Sequence, residues 1–205
     1  NLISFFIKSK NNFFIFSKKG LGKTSISMQA AKDSGYKINY VNLSVVERPD
    51  LAGYPDLHQS GDVITFKSPY FLPALKEGQQ PDTIILFDEV DKASPEVTAP
   101  LLEILQFGSV NGKRINVVSC ILTGNLPEER AYSNMVSTAL LDRGAKYVMT
   151  FSFDKWIDWA RKNNIHDLIL GFLMREPELT CAEAGNADYA SPSPRGWQYA
   201  SEALF

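Results

Sequence analysis

The run Ser17-Lys18-Lys19-Gly20-Leu21-Gly22-Lys23-Thr24 has the residue types and spacing to hold a phosphate chain. Its glycines let successive backbone N–H groups converge on an anion, and a helix opening at Lys23 adds the partial positive charge of its N-terminus. Lys23 is then set to reach β- and γ-phosphates and Thr24 to ligate Mg2+, with Ser25 the next residue of the binding set. The usual loop has Gly where this chain has Ser17. Lys18 and Lys19 stand where prolines are frequent, and they either add positive charge near the phosphates or face solvent. The plain alternative is a chance Gly-Lys-Thr at the start of a helix.

A second constellation is Leu86-Phe87-Asp88-Glu89-Val90-Asp91. An apolar strand ending in Asp-Glu places both carboxylates at the carboxyl edge of a parallel sheet, where such folds bind ligands. Asp88 would hold Mg2+ directly or through water, and Glu89 would orient and deprotonate an attacking water. A solvated acidic turn is the alternative for this pair alone. Two such motifs on successive strand ends leave little room for coincidence.

The elements needed to position these groups can be read from the apolar pattern. Phe13–Phe16, Tyr36–Leu43, Thr83–Phe87, Val117–Thr123 and Tyr147–Phe151 read as strands, most of them continuously apolar, as buried parallel strands require. Helices are expected over Thr24–Lys32, Phe71–Leu75 and Pro95–Phe107, the last bent at Pro100. Short hairpins are expected at Gly61–Lys67 and Val110–Ile115, the second carrying Asn111-Gly112. After Phe153 only helices are expected: Lys155–Asn163, His166–Arg175 and Trp197–Phe205. Phe153, Trp156, Ile157 and Trp159 read as one apolar surface of that helical part. The expected organisation is an α/β nucleotide-binding core over 1–152, a P-loop fold with a parallel sheet, followed by a small helical lid over 153–205.

Composition narrows the field. The 205 residues carry 21 basic and 23 acidic side chains, so no bulk charge draws the chain to nucleic acid. Two cysteines in unlike contexts, Cys120 and Cys181, argue against a disulfide framework and for a reducing cytoplasmic setting. No apolar run approaches the length of a membrane span, and Leu2–Ile7 lacks the features of a signal peptide. A start without Met suits a piece of a longer protein. His58 and His166 have no partners at metal-ligand spacing.

Taken together, the chain resembles an AAA+ ATPase, and within that superfamily it is similar to the MoxR and dynein-related branch. The resemblance is carried in order by Gly20-Leu21-Gly22-Lys23-Thr24, Leu86-Phe87-Asp88-Glu89-Val90-Asp91-Lys92-Ala93, Leu101-Leu102-Glu103-Ile104-Leu105, Leu122-Thr123-Gly124-Asn125, Ala139-Leu140-Leu141-Asp142-Arg143 and Ser193-Pro194-Arg195-Gly196-Trp197. It implies a five-stranded parallel sheet with a helical lid, and Mg2+-dependent ATP hydrolysis in a homo-oligomeric ring, most often a hexamer. It implies that Asn125 is the first sensor, holding the attacking water or a γ-phosphate oxygen. Arg143 would be a finger reaching the neighbouring subunit's ATP, and Arg195 a second sensor on the lid. Gly144, read as a helix C-cap, stands where the family usually has an aromatic residue. The two hairpins would face the pore of the ring, with Lys113 and Arg114 contacting an acidic surface or phosphate, or forming an ordinary charged tip.

Three functions compete. The first is a chaperone-like motor that remodels a protein substrate or adaptor. The second is a nucleic-acid motor or loader of the restriction or replication type, which the acidic balance disfavours. The third is a weakly hydrolysing, ATP-gated binding module, suggested by Ser17.

Overall fold

The computed structural model describes residues 2–58, 64–69, 71–127, 136–181 and 191–205. In chain order these form α1 (Leu2–Lys8), β1 (Phe13–Ser17), α2 (Lys23–Asp33), β2 (Lys37–Asn42), α3 (Arg48–Ala52), β3 (Tyr54–Pro55), β4 (Phe66–Lys67) and β5 (Thr83–Asp88). There follow α4 (Pro95–Phe107), β6 (Ser109–Val110), β7 (Lys113–Arg114), β8 (Ser119–Asn125), α5 (Thr138–Leu141), β9 (Ala145–Val148), α6 (Phe153–Lys162), α7 (Asp167–Leu173) and α8 (Pro194–Glu202). The chain divides into two compact units, Asn1–Phe16 with Thr24–Val148, and Ser17–Lys23 with Met149–Phe205.

The first unit is built on a five-stranded parallel sheet in the order β2-β5-β8-β1-β9. Its middle strands read as apolar runs because both faces are covered: β1 and β8 are buried throughout, and β5 through Phe87. Phe14, Ile85, Phe87, Leu101 and Leu122 share one core, burying apolar surface worth roughly 2 kcal/mol per side chain. Parallel pairing of β2 with β5 and of β5 with β8 sets Asn42 opposite Asp88, and Phe87 opposite Leu122. The sequence motifs at the ends of β5 and β8 thus reach the same edge.

Several expectations are corrected. Phe71–Leu75 is no helix: Ala74 bridges to Ile115, Leu75 N–H donates to Arg114 O at 3.0 Å and Asn116 N–H to Pro73 O at 2.8 Å. Five residues cannot sustain an isolated helix when an extended partner satisfies their backbone. The last strand lies at Ala145–Val148 and not Tyr147–Phe151, because an edge strand alternates and its Lys146 hides it from an apolar-run search. The hairpin expected over Gly61–Lys67 has arms farther apart, with Tyr54–Pro55 paired to Phe66–Lys67, and its residues 61–63 lie outside the described ones. The Asn111-Gly112 hairpin forms as read: both central residues have positive φ, 49° and 73°, which gives the twist a two-residue turn needs. Glu103 reaches over from α4 to accept from Ser109 Oγ (2.9 Å), Gly112 N–H (2.9 Å) and Asn111 N–H (3.1 Å). α4 runs through Pro100 as one continuous helix.

In the second unit α6, α7 and α8 enclose Trp156, Ile157, Ala160, Ile169 and Leu173, with Trp197 packed alongside. Trp197 Nε1 donates to Leu179 O at 2.9 Å. Trp159 departs from the expected apolar surface and is exposed: at 100° per residue the buried Trp156, Ile157 and Ala160 centre one face of α6, and Trp159 lies roughly 100° around the helix from the middle of that face. Among the described residues no helix is long and apolar enough to cross a membrane.

Candidate functional site

The loop Ser17–Lys23 leaves β1 and enters α2, the strand-to-helix setting the sequence required. Gly20 and Gly22 hold φ of +73° and +85°, which L side chains rarely adopt. At Gly20 a side chain would also collide with Ser193, lying 2.7 Å from its Oγ. Ser17 is fully buried as the last residue of β1 and does not have positive φ, so extended backbone suffices where the usual loop has Gly. Its hydroxyl donates to Lys18 O at 2.7 Å and accepts from Lys23 Nζ at 3.1 Å. The ammonium also donates to the carbonyls of Lys18 (3.2 Å) and Ser17 (3.4 Å). Lys23 is thus folded onto loop oxygens that a phosphate could replace. Lys18 is half-buried, while Lys19 and Ser25 are exposed; Leu21 is half-buried within the loop.

Within the same unit, Arg195 N–H donates to Gly20 O at 3.3 Å. Ser193 caps α8 by accepting from Gly196 N–H at 3.2 Å, and this fixes Pro194 and Arg195 in its first turn. The Arg195 side chain itself is exposed.

In the first unit Thr24 Oγ1 donates to Asp88 Oδ2 at 2.8 Å. Tyr40 Oη donates to the same oxygen at 3.2 Å, and Thr123 Oγ1 donates to Asp88 Oδ1. A hydroxyl and a carboxylate converging from α2 and β5 make an oxygen donor pair of the kind a hard divalent cation takes. Glu89 follows in the left-handed region, φ 59° and ψ 43°, with Glu89 N–H donating to Asp88 Oδ1 at 3.0 Å. Non-glycine residues held there cost on the order of 1 kcal/mol and cluster at functional sites. The Glu89 carboxylate pairs with Lys92 Nζ at 2.8 Å.

Asn125 ends β8 buried, its N–H and Nδ2 donating to the two oxygens of Asp91 at 3.0 and 3.2 Å. Arg143 lies beyond the C-cap of α5, which is Asp142, and Gly144 is not a left-handed cap as expected. Gly144 is required for another reason: a Cβ there would sit 2.8 Å from Asn12 O and 3.0 Å from Phe14 Cε2. The aromatic residue usual at this position has no room. Arg143 instead donates from Nε and Nη2 to Gln106 Oε1 (3.2 and 2.8 Å) and from Nη1 to Ala139 O. Both acceptors are uncharged and the contacts lie exposed to solvent, where water competes for the guanidinium.

A family model described as the AAA domain (Cdc48 subfamily) matches residues 8–139, well over half of the chain. The chain belongs to the AAA+ ATPases. Among curated AAA+ relatives it is similar to the chaperone protein ClpB of Mycoplasma genitalium, 27% identical over 131 residues that cover 58% of this chain and 18% of that one. It is 29% identical to the human mitochondrial disaggregase over 134 residues, 57% of this chain and 18% of the relative. The matched segment is therefore under a fifth of either relative's length. Among solved structures a RuvB mutant of Thermotoga maritima aligns over 98% of this chain and 66% of its own, with TM-score 0.56 and 12% identity. A putative ATPase from Cytophaga hutchinsonii aligns over 99% and 56%, with TM-score 0.52 and 18% identity. These two show the α/β P-loop fold of the AAA+ core.

Three polar residues of this AAA+ site escaped the sequence reading: Tyr40 and Thr123 on Asp88, and Asp91 on Asn125. Tyr40 sits in register one residue before Val41, which pairs with Phe87, so a pairing of β2 with β5 was the signal that could have found it. Thr123 lies two residues before Asn125 in a strand otherwise read only as apolar.

Proposed function

We propose that this AAA+ chain binds ATP and hydrolyses it in an Mg2+-dependent reaction. The observation that carries the reading is the Thr24–Asp88 pair with Glu89 held next to it in a strained turn. Thr24 and Asp88 fit Mg2+ by donor type, and the ion would neutralise charge on β- and γ-phosphate oxygens. Lys23 would exchange its loop carbonyls for phosphate oxygens, with Gly20, Leu21, Gly22 and the flanking Ser17, Lys18, Lys19 and Ser25 completing the binding segment. Glu89 would take the proton of the attacking water and Asn125 would orient that water or a γ-phosphate oxygen. Arg195 would contact the γ-phosphate from a helical lid over residues 153–205.

The finer assignments extend the same reading. Arg143 would serve a neighbouring subunit's ATP, since solvent-exposed contacts to neutral acceptors hold it and a phosphate's negative charge could displace them. That role calls for a homo-oligomeric ring, most simply a hexamer. A protein substrate is favoured over nucleic acid by the net charge of −2 and by relatives named as chaperone and disaggregase. The MoxR and dynein-related branch rests on the order of the sequence motifs. Two cysteines in unlike contexts suit a cytoplasmic setting, and burial pushes the Cys120 thiol far above its usual range, as for an inert core residue.

Equilibrium binding and turnover test the proposal together. Lys23→Ala should lose ATP binding, and chelation of Mg2+ should stop turnover by the wild-type chain. Turnover that persists at full rate in excess chelator would refute the Mg2+-dependent reading.

A further inference from the structure

We propose that Asp91 is a positioning residue, whose buried carboxylate locks the Asn125 amide and main chain to the turn that carries Glu89. The inference rests on the roles proposed above for Glu89 and Asn125. Asp91 is 1% exposed. A carboxylate so placed is tolerated only when hydrogen-bonded, and it accepts from both the Asn125 N–H (3.0 Å) and Nδ2 (3.2 Å).

The route by which Asp91 arrives there is specific. Glu89 in the left-handed region turns the chain out of β5, and Lys92 N–H closes one short turn on Glu89 O at 2.8 Å. That turn, Val90–Lys92, carries Asp91 across to the end of β8. There Gly124 makes the space: a Cβ on it would lie 3.1 Å from Asp91 Oδ1 and 2.9 Å from Phe16 Cε1. The exits of β5 and β8 are thereby tied by one bidentate contact, which joins the residue two beyond Glu89 to Asn125 itself. Strained backbone persists where its surroundings over-determine it, and Asp91 supplies one such determinant for Glu89. A carboxylate can only accept, so the amide of Asn125 is held with its nitrogen end toward Asp91. This contact gives Asp91 a function in the geometry of the reaction.

Four variants decide the matter: Asp91→Asn, Asn125→Ala, both together, and the exchanged pair Asp91→Asn with Asn125→Asp. In Asp91→Asn, amide exchange at the Asn125 N–H, read by NMR without nucleotide, should speed up by roughly tenfold or more while β5 keeps its protection. ATP affinity should stay within about twofold and kcat should fall by roughly tenfold or more. The Asp91→Asn, Asn125→Ala double variant should be no slower than Asn125→Ala alone. The exchanged pair restores a donor facing an acceptor and should regain exchange protection at position 125 without regaining kcat. Wild-type exchange and turnover in Asp91→Asn overturn the inference, as do losses that multiply in the double variant or protection that the exchanged pair fails to restore. Loss of protection throughout β5 and β8 also overturns it, because Asp91 would then hold the fold and not the amide. If Asn125→Ala turns over ATP at the wild-type rate, the role proposed for Asn125 fails first, which distinguishes that failure from a fault in the Asp91 link.

Discussion

At the scale of single residues, Ser17 is the departure whose consequence the structure makes concrete. Gly at this position of the loop would serve conformational freedom, and Ser17 needs none because it ends β1 with extended backbone. Its hydroxyl has acquired a different contact, accepting from Lys23 Nζ at 3.1 Å. Ser17→Gly removes one oxygen that competes with phosphate for the ammonium. It should leave ATP affinity unchanged or a few-fold tighter by calorimetry, with a stability cost of about 1 kcal/mol for the lost buried hydroxyl contacts. A tenfold loss of affinity would mean that the hydroxyl itself binds nucleotide. The placement of the candidate site was legible in the sequence wherever a residue follows from its own element: Lys23, Thr24, Asp88, Glu89 and Asn125 lie at the loop and strand ends where the sequence put them. It was illegible where a residue acts through a partner distant in sequence. Asp91 meets Asn125 across 34 positions and Tyr40 meets Asp88 across 48, and no spacing rule reports either.

At the scale of elements, the sheet interior was readable because β1, β5 and β8 are apolar on both faces and stand out as continuous runs. The edges were harder to read. β9 alternates and was placed two residues late, and α1, an apolar stretch of seven residues, carried no helical signature. Extended pairing at Phe71–Leu75 was decided by Arg114–Asn116, far along the chain. One edge contact carries a pH signature. Asp82, just before β5, accepts from Lys37 Nζ at 2.7 Å, Asn116 Nδ2 at 2.6 Å and Thr83 Oγ1 at 2.9 Å. The Lys37 contact foremost, then those of Asn116 and Thr83, hold its pKa down at about 2 against an ordinary 3.8. A carboxylate with a depressed folded pKa stabilises fully above its unfolded pKa and loses that contribution as pH falls through the folded one. The difference in melting temperature between the wild-type chain and Asp82→Asn should therefore be constant above about pH 5 and shrink between pH 4 and 2. A difference that stays constant down to pH 2 would show that the contacts of Asp82 do not favour its charged form.

At the scale of the whole molecule, the proposed role of Arg143 would join a nucleotide site in one subunit to a guanidinium in the next. Arg143 is tethered to Gln106 and Ala139 by uncharged acceptors, and the close approach of Asn12 to Gly144 fixes the backbone beside it. A head-to-tail contact that supplies such a residue closes into a ring, and an isolated subunit is then a poor enzyme. The most direct test is ATP turnover by Glu89→Gln and Arg143→Ala proteins, each alone and then mixed, with ATP binding measured in parallel. Each alone should bind ATP near the wild-type affinity and turn over at least about a hundredfold more slowly, the size expected for loss of a general base or a finger. Mixed, they should regain activity, because some interfaces pair the intact Glu89 of one subunit with the intact Arg143 of its neighbour. Turnover by Glu89→Gln at the wild-type rate, or a mixture that stays inactive although the two proteins are shown to co-assemble, would contradict the account.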